Sequence, residues 1–253
     1  MLPRAFLDTP IAHRGLHDRA QGRIENSMAA VKAAISGGWG IEIDIQPAGD
    51  GTPMVFHDYD LERLTGTRGF ISTTTPQALA QLRLTDCDEG IPTLEAVLAE
   101  VGGRVPLLIE IKDQDGTLGP AVGALEQRVC ALVNTYTGPV ALMSFNPNSV
   151  RQCRGHAPDI PRGLVTDPFT KEDWPMVPAP RRAKLAQMPD LDPVGATFIS
   201  HNRSDLDSAA VARAKARGLS ILTWTIRSAE QEAEARQIVD NVTFEGYAPL
   251  QSA

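Results

Sequence analysis

Short apolar runs recur along the chain, separated by stretches whose apolar residues return every third or fourth position. The runs are Pro10–Ala12, Gly40–Ile45, Val105–Ile111, Val140–Ser144, Arg162–Val165, Ala196–Ile199, Ser220–Trp224 and Asn241–Thr243. Helix-period segments cover Asn26–Ser36, Thr93–Val101, Leu118–Asn134, Pro147–Gly155, Asp205–Arg217 and Ser228–Val239. Eight strands alternating with helices imply parallel pairing, and that number predicts a closed α/β TIM (β/α)8 barrel. The pattern breaks in two places. Residues 49–90 are too many for a strand-to-helix loop. Their Gly49-Asp50-Gly51 turn leads into Thr52-Pro53-Met54-Val55-Phe56, which reads as a short extra strand, and the rest as a small inserted cap after the second strand. The segment Pro168–Pro193 is so rich in proline that any helix within it is short or broken. The expected organisation is one barrel domain over residues 1–253, with an insertion at about 49–90 and no repeat beyond the βα alternation.

Charged residues interrupt this apolar pattern at particular places. In Gly40-Ile41-Glu42-Ile43-Asp44-Ile45 the strand period of two puts both carboxylates on one face and all three isoleucines on the other. The isoleucines would pack under helices, leaving Glu42 and Asp44 pointing into the barrel. Leu107-Leu108-Ile109-Glu110-Ile111-Lys112 repeats the arrangement. His13, followed by Arg14 and Gly15, ends the first run, and His57 with Asp58 ends the extra strand. Active sites of such barrels are built at the carboxyl ends of the strands, so all of these groups would converge on one mouth. Phe145 and Trp224, at the ends of later runs, are candidates for lining the same pocket.

Three inward carboxylates repel one another unless cations hold them, since a buried unpaired charge costs several kcal/mol or changes protonation. Salt bridges to Arg14 and Lys112 are one solution; a metal ion is the stronger one. Oxygen-only donors favour one hard divalent cation, Mg²⁺ or Ca²⁺, over zinc. Arg14 and Lys112 restore a positive field suited to a phosphate ester. Two imidazoles can then divide general base and general acid work between His13 and His57. His17, His156 and His201 read as structural, although His201 follows the sixth run closely enough to approach the mouth.

Composition narrows the partners. A net charge of −7 and 5% aromatic residues disfavour nucleic acid and stable association with an anionic membrane. No apolar stretch approaches a membrane span, and Met1–Gly15 lacks the features of a secretory signal. Cys87, Cys130 and Cys153 are odd in number and lack metal-type spacing, which fits reduced thiols and a cytoplasmic location.

At these residues the chain resembles the glycerophosphodiester phosphodiesterase family. The resemblance rests on His13-Arg14-Gly15, Glu25-Asn26-Ser27, Glu42-Ile43-Asp44, Gly51, Val55-Phe56-His57-Asp58, Leu61, Arg63 and Thr65, and is extended by Glu110-Ile111-Lys112, Ser144-Phe145 and Trp224-Thr225. It implies a TIM barrel with a small insertion after the second strand, Glu42, Asp44 and Glu110 as ligands of one divalent ion, and His13 and His57 as the acid/base pair. It also implies that Arg14 and Lys112 hold the phosphate, and that a glycerophosphodiester is hydrolysed to glycerol 3-phosphate and an alcohol. A glycerol hydroxyl attacking first would give a cyclic phosphate that water then opens. The chain departs from the family pattern at Arg227, where Asn is frequent, and at Phe244-Glu245, where Asp commonly follows the Thr. Two other readings stay open at this point: a phospholipase-like phosphodiesterase acting on lipid head groups, and a non-catalytic phosphate-ligand binding protein.

Overall fold

The computed structural model describes residues 1–249. Within them one sheet is built from β1 (Ile11–Ala12), β2 (Gly40–Pro47), β3 (Pro53–Val55), β4 (Leu107–Ile111), β5 (Val140–Ser144), β6 (Arg162–Thr166), β7 (Phe198–Asn202), β8 (Ser220–Ile226) and β9 (Asn241–Phe244). All except β3 are parallel to their neighbours, and β1 pairs with both β9 and β2, so the eight parallel strands close into a TIM barrel. Strand β3 runs antiparallel along β2, with Val55 opposite Ile45. It is the extra strand that the Gly-Asp-Gly turn announced.

Alternation sorts the side chains as the sequence suggested. Ile41, Ile43, Ile45, Leu107, Ile109 and Ile111 pack outward against helix residues such as Val31, Ala34, Val97 and Val101. Leu108, Ala141, Met143, Val165, Phe198 and Leu222 fill the barrel interior together with Ile11. The parallel register sets Asp44 beside Glu110, so the inward carboxylates fall at one height. His201 falls on the outward parity of β7, where its Nδ1 meets Thr166 Oγ1 at 2.8 Å and its Nε2 meets Asp205 at 3.2 Å. It is a satisfied core histidine and does not reach the mouth.

Helix boundaries differ from the periodicity by more than two residues in three places, one of them the last segment, where the helix ends at Ala235 and not at Val239. The helix expected from Leu118 begins only at Ala124, as Ala124–Val133. Ahead of it, Asp113 accepts from the amides of Gly116 and Leu118, and Asp115 from those of Thr117, Gly119 and Ala121, tying the chain into a loop. The segment expected as Asp205–Arg217 divides into a turn at Arg203–Asp205 and a helix at Ala209–Ala216, whose start is capped by Ser208. In these latter two cases a short polar side chain offers the backbone an alternative to helix. The proline-rich stretch carries two short helices, Ala179–Ala186 and Leu191–Val194. Between β2 and β4, besides β3, lie short helices at Glu62–Thr65 and Pro76–Gln81. Met54, Phe56, Leu61, Leu64, Ile71, Leu79 and Leu84 close a small apolar cluster there, separate from the barrel core.

Gly163 on β6 leaves the room that Phe198 occupies: a Cβ on it would lie 2.5 Å from the Phe198 ring and 2.6 Å from its carbonyl oxygen. Gly163→Ala is therefore expected to lower stability by about 1–3 kcal/mol through overpacking. Urea unfolding measures this, and an unchanged midpoint would contradict the packing.

Candidate active site

The mouth at the carboxyl ends of the strands holds a cleft of about 390 Å³. All nine residues singled out from the sequence line it: His13, Arg14, Glu42, Asp44, His57, Glu110, Lys112, Phe145 and Trp224. The loop after β1 is shaped for this. Arg14 (φ 54°) and Asn26 (φ 60°) both adopt the left-handed conformation that side chains seldom take outside constrained sites. Gly15 (φ 77°) turns where a Cβ would lie 2.9 Å from Ala30. In this bend the Arg14 amide donates to Glu42 Oε2 at 3.0 Å, and Asn26 donates from Nδ2 to Asp44 at 2.9 Å while its Oδ1 accepts from the Asp44 amide.

Glu42, Asp44 and Glu110 are buried, and each offers an oxygen within 4.8 Å of the others. Lys112 Nζ lies 2.6 Å from both Asp44 and Glu110, and Arg14 Nε lies 3.3 Å from Asp44. Salt bridges to these two cations are thus present, yet they leave the cluster short of positive charge. Burial alone would raise Asp44, but Lys112, His57 and Arg14 outweigh it and hold that carboxyl well below the usual range. Burial opposes charge on Lys112 too, and Asp44 and Glu110 overcome it, holding the ammonium above its ordinary value. Glu42 goes the other way: burial first, then repulsion from Asp44 and Glu110, drives its carboxyl well up. Arg14 is meanwhile shared with Glu25, which it meets at 2.7 Å and which also binds Arg63. Three converging carboxylates with one held up by its neighbours make an all-oxygen donor set that can hold a divalent ion.

Both histidines present Nδ1 to a carboxylate. His13 Nδ1 lies 2.6 Å from Glu245 Oε2, and His57 Nδ1 lies 2.7 Å from Asp58 Oδ1. An ionised carboxylate only accepts, so each Nδ1 carries the proton and each Nε2 is left free of this bond. Burial pushes the His13 imidazolium down, and Arg14 adds to that against the opposing pull of Glu245 and Asp44. His13 is accordingly neutral near pH 7.

One wall of the cleft is aromatic. Phe145 packs 4.9 Å from Trp174 and 5.6 Å from Trp224 between ring centroids, and Trp224 is fixed by its indole donating to Ser200 O. Several groups around the cleft carried no assigned role at the sequence level. Asp58 and Glu25 stood within the motifs as unassigned neighbours, whereas Asp167 and Trp174, joined by a 2.8 Å hydrogen bond, lie in the proline-rich segment that has no periodicity to place them. Arg227 and Glu245 were visible only as departures from the family pattern. Ser200 could have been found from the inward parity of β7.

The profile of the glycerophosphoryl diester phosphodiesterase family matches residues 13–243. The glycerophosphodiester phosphodiesterase of Caldanaerobacter subterraneus subsp. tengcongensis is 31% identical over 66% of this chain and 70% of its own. The Bacillus subtilis protein YhdW is 27% identical over 92% of each chain. Among solved structures, a phosphodiesterase from Oleispira antarctica in complex with its product sn-glycerol-3-phosphate superposes with a TM-score of 0.76. It is 24% identical and shares the fold over 95% of this chain and 94% of that one.

Because the Glu42 carboxyl is pushed up from its ordinary 4.5, the unfolded chain ionises first as pH rises, and metal-free stability falls from that point toward the raised value. In chelator, Glu42→Gln should therefore melt above the wild type by a margin that widens as pH rises above about 4.5. Adding Mg²⁺ or Ca²⁺ should raise the wild-type melting temperature more than the variant's. A variant that melts at or below the wild type across this range would overturn the account of a crowded carboxylate cluster.

Proposed function

The chain belongs to the glycerophosphoryl diester phosphodiesterase family, and from that premise we propose that it hydrolyses glycerophosphodiesters to glycerol 3-phosphate and an alcohol by a metal-dependent, two-histidine mechanism. It is a hydrolase by family; the substrate, the ion and the residue roles are the proposal. The observation that carries it is the convergence, on one cleft, of three carboxylates, two cations and two carboxylate-backed imidazoles.

Arg14 and Lys112 would receive the phosphate oxygens, the guanidinium offering paired donors and the ammonium a point charge. A divalent ion held by Glu42, Asp44 and Glu110 would supply Lewis-acid charge at the phosphate and relieve the repulsion on Glu42. All-oxygen donors suit Mg²⁺ or Ca²⁺. His13, whose imidazolium is disfavoured by desolvation, takes the proton from the attacking hydroxyl, whether of water or of the glycerol itself. His57 gives a proton to the departing alkoxide, so one P–O bond forms and one breaks without building charge on either oxygen. Attack by the glycerol would pass through a cyclic phosphate that the same pair opens with water. Phe145 and Trp224 would cover the apolar face of the substrate and limit water around the reacting phosphate. A cleft of about 390 Å³ matches a small soluble diester.

A cytoplasmic setting fits three free cysteines, two of them buried. No helix among the described residues is long and apolar enough to cross a membrane.

The test is release of glycerol 3-phosphate from glycerophosphocholine and glycerophosphoethanolamine by chelator-treated protein, with Mg²⁺ or Ca²⁺ restored in turn. Metal-dependent release is expected; absence of release with every substrate and ion would reject the proposal. His13→Ala and His57→Ala should each lower kcat by about 10²–10⁴ with the melting temperature little changed. Wild-type rates in both variants would remove the histidines from the chemistry.

A further inference from the structure

Arg227 and Glu245, which both lie where the chain departs from the family pattern, turn out to face each other. Arg227 follows β8 and Glu245 follows β9, and the parallel pairing of those strands brings the guanidinium Nε to 2.7 Å from Glu245 Oε1. The other carboxylate oxygen of Glu245 accepts from His13 Nδ1 at 2.6 Å and lies 3.5 Å from His17 Nε2. One carboxylate therefore joins a half-exposed cation to a partly buried imidazole, both of which line the cleft. Hydrogen bonds from His13 and then His17 hold the Glu245 carboxyl far below its ordinary range, so it carries its charge throughout the working pH range.

The geometry points to Glu245 as the positioning residue for His13, with Arg227 as the group that sets how strongly Glu245 acts. This rests on the proposed role of His13 as an acid/base group and adds the device that tunes it. A carboxylate on Nδ1 does two things. It holds the ring in the tautomer that leaves Nε2 able to accept a proton, and it stabilises the imidazolium formed when Nε2 does so. Arg227 works against the second effect, because a guanidinium on the far oxygen draws off part of the field that Glu245 applies to His13. Arg227 is about half exposed and lines both the catalytic cleft and a neighbouring one formed by Leu16, His17, Arg23 and Tyr247. Solvent and ligands can thus reach the cation without passing the imidazole, and a bound anion that drew Arg227 away would free Glu245 to act on His13.

The other charges near His13 are accounted for. Arg14 lies next to it in the loop after β1 and lowers its proton affinity, while Asp44 on β2 raises it. Glu42, Glu110, Lys112, His57, Asp167 and Asp173 share the cleft, and Asp18 and Arg23 border the outer one. Among the described residues only Glu245 makes a side-chain hydrogen bond to the His13 ring, so changing this contact alters His13 directly and the others only through space.

The arrangement yields opposite signs for two substitutions, which a merely structural pair would not give. Glu245→Gln can still accept from Nδ1 through its amide oxygen but lacks the charge. It should lower kcat by about tenfold to a hundredfold with KM little changed, and move the acidic limb of the pH–kcat profile to lower pH by about one pH unit. Arg227→Gln leaves Glu245 charged and unopposed, and should move the same limb to higher pH. Histidine ¹⁵N resonances, with His13 assigned by its absence in His13→Gln, report the tautomer and titration of the ring without any turnover. They should show an Nδ1–H tautomer in the wild type, loss of its dominance in Glu245→Ala, and the same opposed shifts in titration. Shifts of one sign in both variants, or a His13 signal that neither variant moves, would overturn the inference. If the His13 shifts appear as expected while no glycerophosphodiester is hydrolysed, the device stands and the assigned reaction falls.

Discussion

The mutual repulsion of Glu42, Asp44 and Glu110 inside the barrel mouth is the constraint on which the surrounding structure depends. Carboxylates buried this closely persist only because positive charge is delivered to them from several directions. Lys112 reaches two of them from the end of β4, and Arg14 reaches Asp44 from a strained turn after β1. Asn26, in the same left-handed conformation, fastens that turn to Asp44 by two hydrogen bonds. Even so, Glu42 receives only a backbone amide from this set among its hydrogen bonds, and its carboxyl is driven up. The cluster is incomplete as a salt-bridge network, and its three carboxylates could hold a cation. An arrangement that holds negative charge this tightly costs the protein stability wherever Glu42 must ionise.

The barrel is what makes such a concentration tolerable. Parallel pairing puts equivalent positions of neighbouring strands at the same height, so Asp44 and Glu110 arrive side by side without any loop having to be ordered for the purpose. Below them, Leu108, Phe198 and Leu222 form an apolar floor whose low polarizability strengthens the interactions among the charges. Outward, the isoleucines that alternate with the acids are sealed under helices. The same six-residue stretch of β2 therefore supplies both core stability and site chemistry, one on each face.

The histidines are held by a different kind of support. Neither lies in the middle of a barrel strand: His13 follows β1 and His57 follows β3 in the inserted segment. Each has a carboxylate on Nδ1, but the two carboxylates have different origins. Asp58 is the next residue in the chain and is itself pinned by Arg63, whereas Glu245 lies 232 positions away and is pinned by Arg227. His57 thus brings its partner with it, while the partner of His13 depends on closure of the barrel between β9 and β1. The His13–Glu245 contact exists only with β9 seated beside β1.

Much of this was legible in the sequence, for physical reasons that can be named. Strand alternation has a period of two, so Ile41-Glu42-Ile43-Asp44-Ile45 declares by itself which side chains face inward, and the active-site mouth follows once eight such strands are counted. Ionisable groups at strand ends are conspicuous because burial of charge is costly, and for that reason Glu42, Asp44, Glu110, Lys112, His13 and His57 stood out. Tertiary structure decided what carries no local period. The start of the helix at Ala124 depends on Asp113 and Asp115 capturing loop amides. Asp167 and Trp174 reach the cleft from an aperiodic, proline-rich segment. His201 is excluded from it by strand parity once β7 is found to extend to Asn202. Arg227 and Glu245, two isolated departures when read along the chain, become a linked pair only because β8 and β9 lie side by side. A sequence records the chemistry of each group and the face it takes on its own element; which distant group it meets is set by how the elements close, and the pairing of Glu245 with His13 exists only in the closed barrel.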